Sequence, residues 1–179
     1  MESTRQEVPW TWCGEWITPE VVPEWAVAMV YKITRMWWDD MKGHQVQVYI
    51  GKKMLTSTRR KKIGVRAKKA SGTRKTYETT VKQSNWPEYW GSCKELIEDQ
   101  KQYPEQFTRQ VLEWCYSKKN ATYLELKYQF QYNVLENRTY NNNINGSLYR
   151  YDTDRHLYNE HKEKMRSTPR KPRTKKNIQ

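Results

Sequence analysis

Cysteine is scarce in this chain of 179 residues, which holds Cys13, Cys93 and Cys115. So small an odd number builds no disulfide framework, and the intracellular, reduced reading follows. No Cys-x-x-Cys pair occurs. His156 and His161 are five positions apart, on different faces of a helix, so the usual two-ligand zinc spacing is absent. What remains is a site pooled from the three cysteines and His44, set against ordinary buried thiols. Long apolar runs are missing too. The longest, Trp25 to Tyr31, has seven residues, against the roughly 20 of a spanning helix. The first ten residues have no apolar signal core, so neither membrane insertion nor secretion is expected.

Catalytic signatures are equally thin. Three histidines leave few candidates for a general base, and no nucleophile arrangement stands out. Gly64 and Gly72 stand isolated in a basic stretch, without the strand and helix that frame a phosphate-binding loop. Asp39-Asp40 lacks a third carboxylate at ligand spacing and reads as a solvated turn. These absences predict a protein that is not an enzyme and carries no cofactor.

Positive charge, by contrast, is abundant and concentrated. Eleven Lys and Arg residues lie between Lys52 and Lys75 with no acid, and eight more lie between Lys162 and Lys176 with one acid, Glu163. The whole chain carries +13, so the remainder is slightly acidic. Like charges repel one another and resist packing, which leaves such segments available to a polyanion or an import receptor. Arg59, Arg60, Lys61 and Lys62, followed by Arg66, Lys68 and Lys69, have the two-cluster form of a nuclear import signal. The same side chains suit phosphate backbones, bound through counterion release. Arg170, Lys171, Arg173, Lys175 and Lys176 repeat the theme in the tail, where Thr168 precedes Pro169 and offers a proline-directed phosphorylation site.

A hydrophobic content of 36% is low, and the mean hydropathy is −1.14. Nine Trp and thirteen Tyr compensate in part, since each buried aromatic removes a large area from water. The chain divides into a Trp-rich part of the core at 1–51, a basic flexible connector at 52–84, a main core at 85–166 and a basic disordered tail at 167–179. Residues 23–38 carry apolar positions at helical spacing, although Met29, Tyr31, Ile33 and Trp37 also fit a period of two; a helix is preferred there, and a strand at 45–50. Asn85 to Glu88 and Pro104-Glu105 each open a helix, which gives a helical hairpin. From Leu124 to Val134 apolar and polar residues alternate, the pattern of a half-buried strand, and Asp152 to Asp154 cap a last helix. The predicted fold class is α+β and mainly helical: one small aromatic-rich core with a helical hairpin, one or two strands and disordered basic segments.

Trp90, Lys94, Glu95, Gln100, Lys101, Gln106 and Arg109, together with Trp12-Cys13-Gly14-Glu15-Trp16, resemble the small nuclear phosphoprotein of bocaparvoviruses, an accessory nucleoprotein. The long Arg/Ser-rich arm of that protein is absent here, so another parvovirus genus fits better. The resemblance implies a viral, non-enzymatic protein of the host cell nucleus. Such a protein supports genome replication and processing of capsid message, with nucleic acid, an import receptor and host RNA-processing proteins as partners; antagonism of interferon signalling is also known in the family. The seven residues named first would form a polar surface on the helical hairpin. Two other classes compete. A viral adaptor redirecting a ubiquitin ligase would need a Ser-Leu-Gln-x-Leu box, but Ser147-Leu148 is followed by Tyr149. A nucleocapsid-like coat protein would bind any nucleic acid with steep salt dependence.

Overall fold

The computed structural model describes residues 8–152 and 155–167. Five strands form the main sheet: β1 (Trp10–Trp12), β2 (Glu15–Ile17), β3 (Ala28–Asp39), β4 (Gly43–Met54) and, after two insertions, β7 (Phe107–Cys115). Their spatial order is β2-β1-β7-β3-β4, antiparallel throughout except for β1 beside β7. The first insertion is a separate ribbon, β5 (Thr56–Lys62) paired with β6 (Tyr77–Gln83) across helix α1 (Val65–Ser71). The second contains α2 (Lys94–Gln102). After β7 come α3 (Lys118–Gln131), a small pair β8 (Asn143–Ile144) and β9 (Leu148–Tyr149), and α4 (Arg155–Ser167), where the sequence places a last helix.

A mainly helical fold is therefore the wrong class, and each misplaced element has a physical cause. β3 lies between β7 and β4 and is covered on both faces, so Ala28, Met29, Val30 and Tyr31 are all buried in an unbroken run. A strand buried on both sides loses the alternation that marks a half-exposed one, and helical spacing then matches by accident. β7 contains a bulge. Tyr31 pairs with Val111 while Val30 pairs with Glu113, so Leu112 is an extra residue. The extra residue shifts the facing of everything after it. Phe107, Val111 and Trp114 thus reach one side of the sheet with the spacing of a helix, and no helical hairpin forms among the described residues 85–116.

The expected strand at 124–134 is instead most of α3. Ser117 caps this helix by accepting a hydrogen bond from the Asn120 amide at 3.0 Å. Leu, Glu, Lys and Gln, which dominate its middle, are strong helix formers. Leu124 is buried, whereas Phe130, of the same expected face, is exposed and Gln129, of the opposite one, is buried, so the alternation is not a facing pattern. The basic stretch expected to lack regular structure forms the β5–α1–β6 insertion.

Two apolar layers sandwich the sheet. On one face Met29, Tyr31, Ile33, Phe107 and Val111 pack with Trp10, Trp86 and Leu96. On the other, Ala28, Val30, Ile50 and Cys115 meet Ala121, Leu124, Val134 and Leu135. β4 is the edge strand of this sheet, and its free side carries the site.

Candidate functional site

An edge strand must satisfy its outward backbone groups or cover them. β4 is covered by the segment around Tyr140. The Tyr140 amide donates to Val48 O at 2.9 Å, and Asn141 makes a two-point contact with Ile50. Its Oδ1 accepts from the Ile50 amide at 2.9 Å and its Nδ2 donates to the Ile50 carbonyl at 2.8 Å. Gln129 Nε2, from α3, shares that carbonyl at 3.4 Å. Between these elements and the start of α2 lies a cleft of about 580 Å³. Tyr49, Ser92, Glu125, Gln129, Tyr140 and Asn141 line it.

Residues of β3 and β4 sit beside this cleft in a fixed register, with Tyr31 opposite Gly51. A Cβ on Gly51 would lie 2.6 Å from the Tyr31 hydroxyl oxygen and 2.9 Å from Tyr49 Cε1. Only a residue without a side chain lets both rings approach. Gly91 supports Tyr49 from another direction, since a Cβ there would stand 3.1 Å from the same ring carbon. Tyr49 Oη lies 3.2 Å from Ser92 Oγ, a hydrogen bond that either hydroxyl can donate. Burial raises the pKa of Tyr49, and raises that of Tyr31 further, so both phenols are neutral donors at ordinary pH.

Charge enters from the other side of β4. Lys52 Nζ is 2.6 Å from Glu125 Oε2 and donates to Thr122 Oγ1 at 3.1 Å. Glu125 is thus a half-buried carboxylate on the cleft wall, held by a single cation. One turn later on α3, Gln129 Oε1 is buried without a hydrogen-bond partner. Below the cleft, Tyr140 Oη donates to Asp99 Oδ2 at 2.7 Å, and Asp99 pairs with Arg35. Arg35 in turn lies over the rings of Trp37 and Tyr103, at 4.7 and 4.8 Å.

Most residues singled out from the sequence lie elsewhere. Of the seven expected to share a polar surface, Lys94 and Glu95 do line the cleft at the start of α2. Gln100 is half-buried and Lys101 exposed, both on α2, while Trp90 packs edge-on against Phe107 at 6.1 Å. Gln106 accepts a hydrogen bond from Arg35 Nε at 2.9 Å. Arg109 is not a surface residue at all, being only 4% exposed. It donates to the carbonyls of Val8 and Pro87 at 2.9 and 2.8 Å and lies between the rings of Trp10 and Trp90. Arg59, Arg60, Lys61 and Lys62 are in β5, and Arg66, Lys68 and Lys69 are in α1. Thr168, Arg170, Lys171, Arg173, Lys175 and Lys176 lie outside the described residues. Cys13 is exposed, Cys93 half-buried and Cys115 buried; they belong to no group of three or more potential metal ligands among the described residues.

Sequence reasoning missed Tyr31, Tyr49, Gly51, Glu125 and Asn141, and counted Lys52 only as one of a basic block. The available signal was the recurrence of tyrosine in two apolar runs, as Met-Val-Tyr at 29–31 and Tyr-Ile-Gly at 49–51. Comparison with known proteins bears on the same pattern. The family described as "Putative endonuclease segE, GIY-YIG domain" matches residues 10–145. The chain belongs to this family. Tyr49-Ile50-Gly51 spells the second tripeptide of the GIY-YIG name, and Met29-Val30-Tyr31 ends in tyrosine as the first does. No significant match exists among curated proteins or solved structures.

Membership of the GIY-YIG family overturns the bocaparvovirus resemblance and the non-enzymatic accessory role drawn from it, and lends no support to the adaptor and coat-protein alternatives. The motifs behind that resemblance have structural explanations. In Trp12-Cys13-Gly14-Glu15-Trp16 the central pair adopts φ of 50° and 88°, the two-residue turn joining β1 to β2. Trp90 and Arg109 are packing residues. Nucleic acid is the partner that a GIY-YIG nuclease domain implies; an import receptor and RNA-processing proteins gain no support from it.

Proposed function

We propose that the cleft on the free edge of β4 hydrolyses phosphodiester bonds within a polynucleotide. The observation that carries this reading is the convergence of two neutral phenols, Tyr31 and Tyr49, with the Lys52–Glu125 pair around Gly51. Phosphodiester hydrolysis adds a water oxygen to phosphorus while the bond to one ester oxygen breaks and that oxygen takes a proton. Negative charge spreads over the phosphoryl oxygens in the transition state, so catalysis rests on positioned donors and cations. Tyr49 presents a hydroxyl at the cleft wall to a phosphoryl oxygen. Tyr31, closed in by Gly51, holds the Tyr49 ring in place. Lys52 supplies a positive charge that a phosphate can share with Glu125.

The donor set also fits a hard divalent cation. Glu125 is a carboxylate with one oxygen committed to Lys52, and Gln129 Oε1 is an unpartnered buried oxygen on the same helix. A magnesium-like ion needs only one or two carboxylates from the protein when phosphate and water complete its shell. Bound there, it would polarise a phosphoryl oxygen and supply a nucleophile at neutral pH.

The test is nicking of supercoiled plasmid DNA by the purified chain, with and without a divalent cation. Wild-type protein should nick, and Tyr49→Phe should lose most of that rate while keeping its fold by circular dichroism. Undiminished nicking by Tyr49→Phe would remove the tyrosine from the mechanism.

A further inference from the structure

Every residue of β5 and β6 is exposed, on both faces of the ribbon. An antiparallel pair ordinarily hides one face, and an isolated two-stranded ribbon is marginally stable in water. The root of this one is fastened to the body. Leu55, buried in the core, donates its amide to Val27 O at 3.0 Å, and the Ser84 amide donates to Leu55 O at 2.9 Å. Ser84 Oγ donates to Met54 O at 2.6 Å. The ribbon is therefore a direct outgrowth of β4, the strand that carries Tyr49 and Gly51.

Its two faces differ. Cross-strand partners share a face and neighbours along a strand alternate. One face therefore holds Thr58, Arg60 and Lys62 opposite Val81, Thr79 and Tyr77. The other holds Arg59 and Lys61 opposite Thr80 and Glu78, with Lys82 beyond. Only the first face is free of carboxylates. It also exposes Val81 by 61% and Tyr77 by 50%, apolar surface that water does not explain. Among the described residues no acid forms an ion pair with any of the ribbon's cations.

We propose that this ribbon binds the major groove of double-stranded DNA, with the face of Arg60 and Lys62 toward the bases. Arg59, Lys61 and Lys82 then face out toward the phosphate walls, and Arg66, Lys68 and Lys69 of α1 add further cations. Seven residues at about 3.3 Å each make a ribbon roughly 20 Å long, and the B-form major groove is about 12 Å wide, enough for two strands. Arg60 is suited to guanine, and Thr58 and Thr79 to either donors or acceptors. Val81 and Tyr77 are suited to thymine methyl groups. The deep, narrow major groove of A-form RNA would not admit the ribbon. Because the chain from Tyr49 to Arg60 spans at most about 36 Å, the cut falls within roughly one helical turn of the ribbon's contact.

This inference rests on the nuclease reading, and the experiment separates the two. Binding of 30-base-pair DNA and RNA duplexes is measured with Glu125→Gln protein against salt, alongside plasmid nicking by proteins that retain Glu125. Replacing Arg59, Arg60, Lys61 and Lys62 together by Gln should lower the slope of log affinity against log salt by about 2 units, because Arg59 and Lys61 are the two of the four that meet phosphates. Arg60→Lys should keep affinity for random DNA but flatten preference among sequences. Footprinting should place protection within one turn of the nick. An unchanged slope in the fourfold variant, or equal binding of duplex RNA, would overturn the ribbon assignment even if nicking persists. Wild-type protein that binds through the ribbon but never nicks would leave this inference standing and remove the nuclease reading.

Discussion

Gly51→Ala tests the geometry of the site at its tightest point. The added methyl would stand 2.6 Å from Tyr31 Oη, 2.8 Å from Tyr31 Cζ and 2.9 Å from Tyr49 Cε1. Ordinary contact begins near 3.4 Å, so the Tyr31 ring must retreat by about 0.8 Å. It has little room to do so, being 1% exposed and packed edge-on to Trp10 at 5.3 Å. Overpacking of this kind costs about 1–3 kcal/mol, and displacement of reacting groups by an ångström costs about 100-fold in rate. Thermal unfolding should therefore show a modest loss of stability, while plasmid nicking falls far more than the unfolded fraction explains. Gly64→Ala is the control, because Gly64 has φ of −65° and open space around its Cβ position. It should leave both stability and nicking close to wild type. If Gly51→Ala nicks at the wild-type rate with unchanged stability, the two tyrosines are not held as described.

Arg109→Met should cost about 3 kcal/mol in denaturant titration, since it strips donors from the carbonyls of Val8 and Pro87 and a cation from between Trp10 and Trp90. If it unfolds like wild type, that buried guanidinium is not structural. Cys115 should be inert to a chromogenic thiol reagent at pH 8 in folded protein while exposed Cys13 reacts, because burial, then the Glu113 carboxylate, push the Cys115 thiol up from 9.0 to about 11. The unfolded chain then loses that proton first. This thiol's contribution to stability is fully present below pH 9.0 and lost as pH rises toward about 11, a decline that Cys115→Ala should lessen in pH-dependent unfolding. Asn141→Ala should loosen the cleft wall by removing both contacts to Ile50, seen as faster hydrogen exchange at the Ile50 amide.

What the sequence revealed depended on how each element is buried. The alternation from Val46 to Ile50 marks a strand that β4 contains, but not its facing, since Val46 is exposed and Gln47 buried. β3 is covered on both sides, and β7 carries the bulge at Leu112, so neither shows a clean period and both mimicked helices. α3 misled in the opposite sense, since Phe130 is an exposed aromatic that a facing argument counts as core. The site was hidden for a related reason. Its tyrosines are apolar enough to pass as core, Glu125 sits in an ordinary helical run, and Lys52 is one of eleven cations. The close approach of Tyr31 and Tyr49 to Gly51 exists only once β3 and β4 are paired.

The central claim is that Glu125 and its surroundings form a phosphodiester-hydrolysing centre. Single-turnover cleavage of a DNA duplex by Glu125→Gln protein, at concentrations where binding is saturated, tests it most directly. The substitution keeps the shape and an oxygen for Lys52 but removes the negative charge. Binding should be equal to or tighter than wild type, and the cleavage rate should be lower by about 100-fold or more. Cleavage at the wild-type rate by a saturated Glu125→Gln complex would contradict the claim.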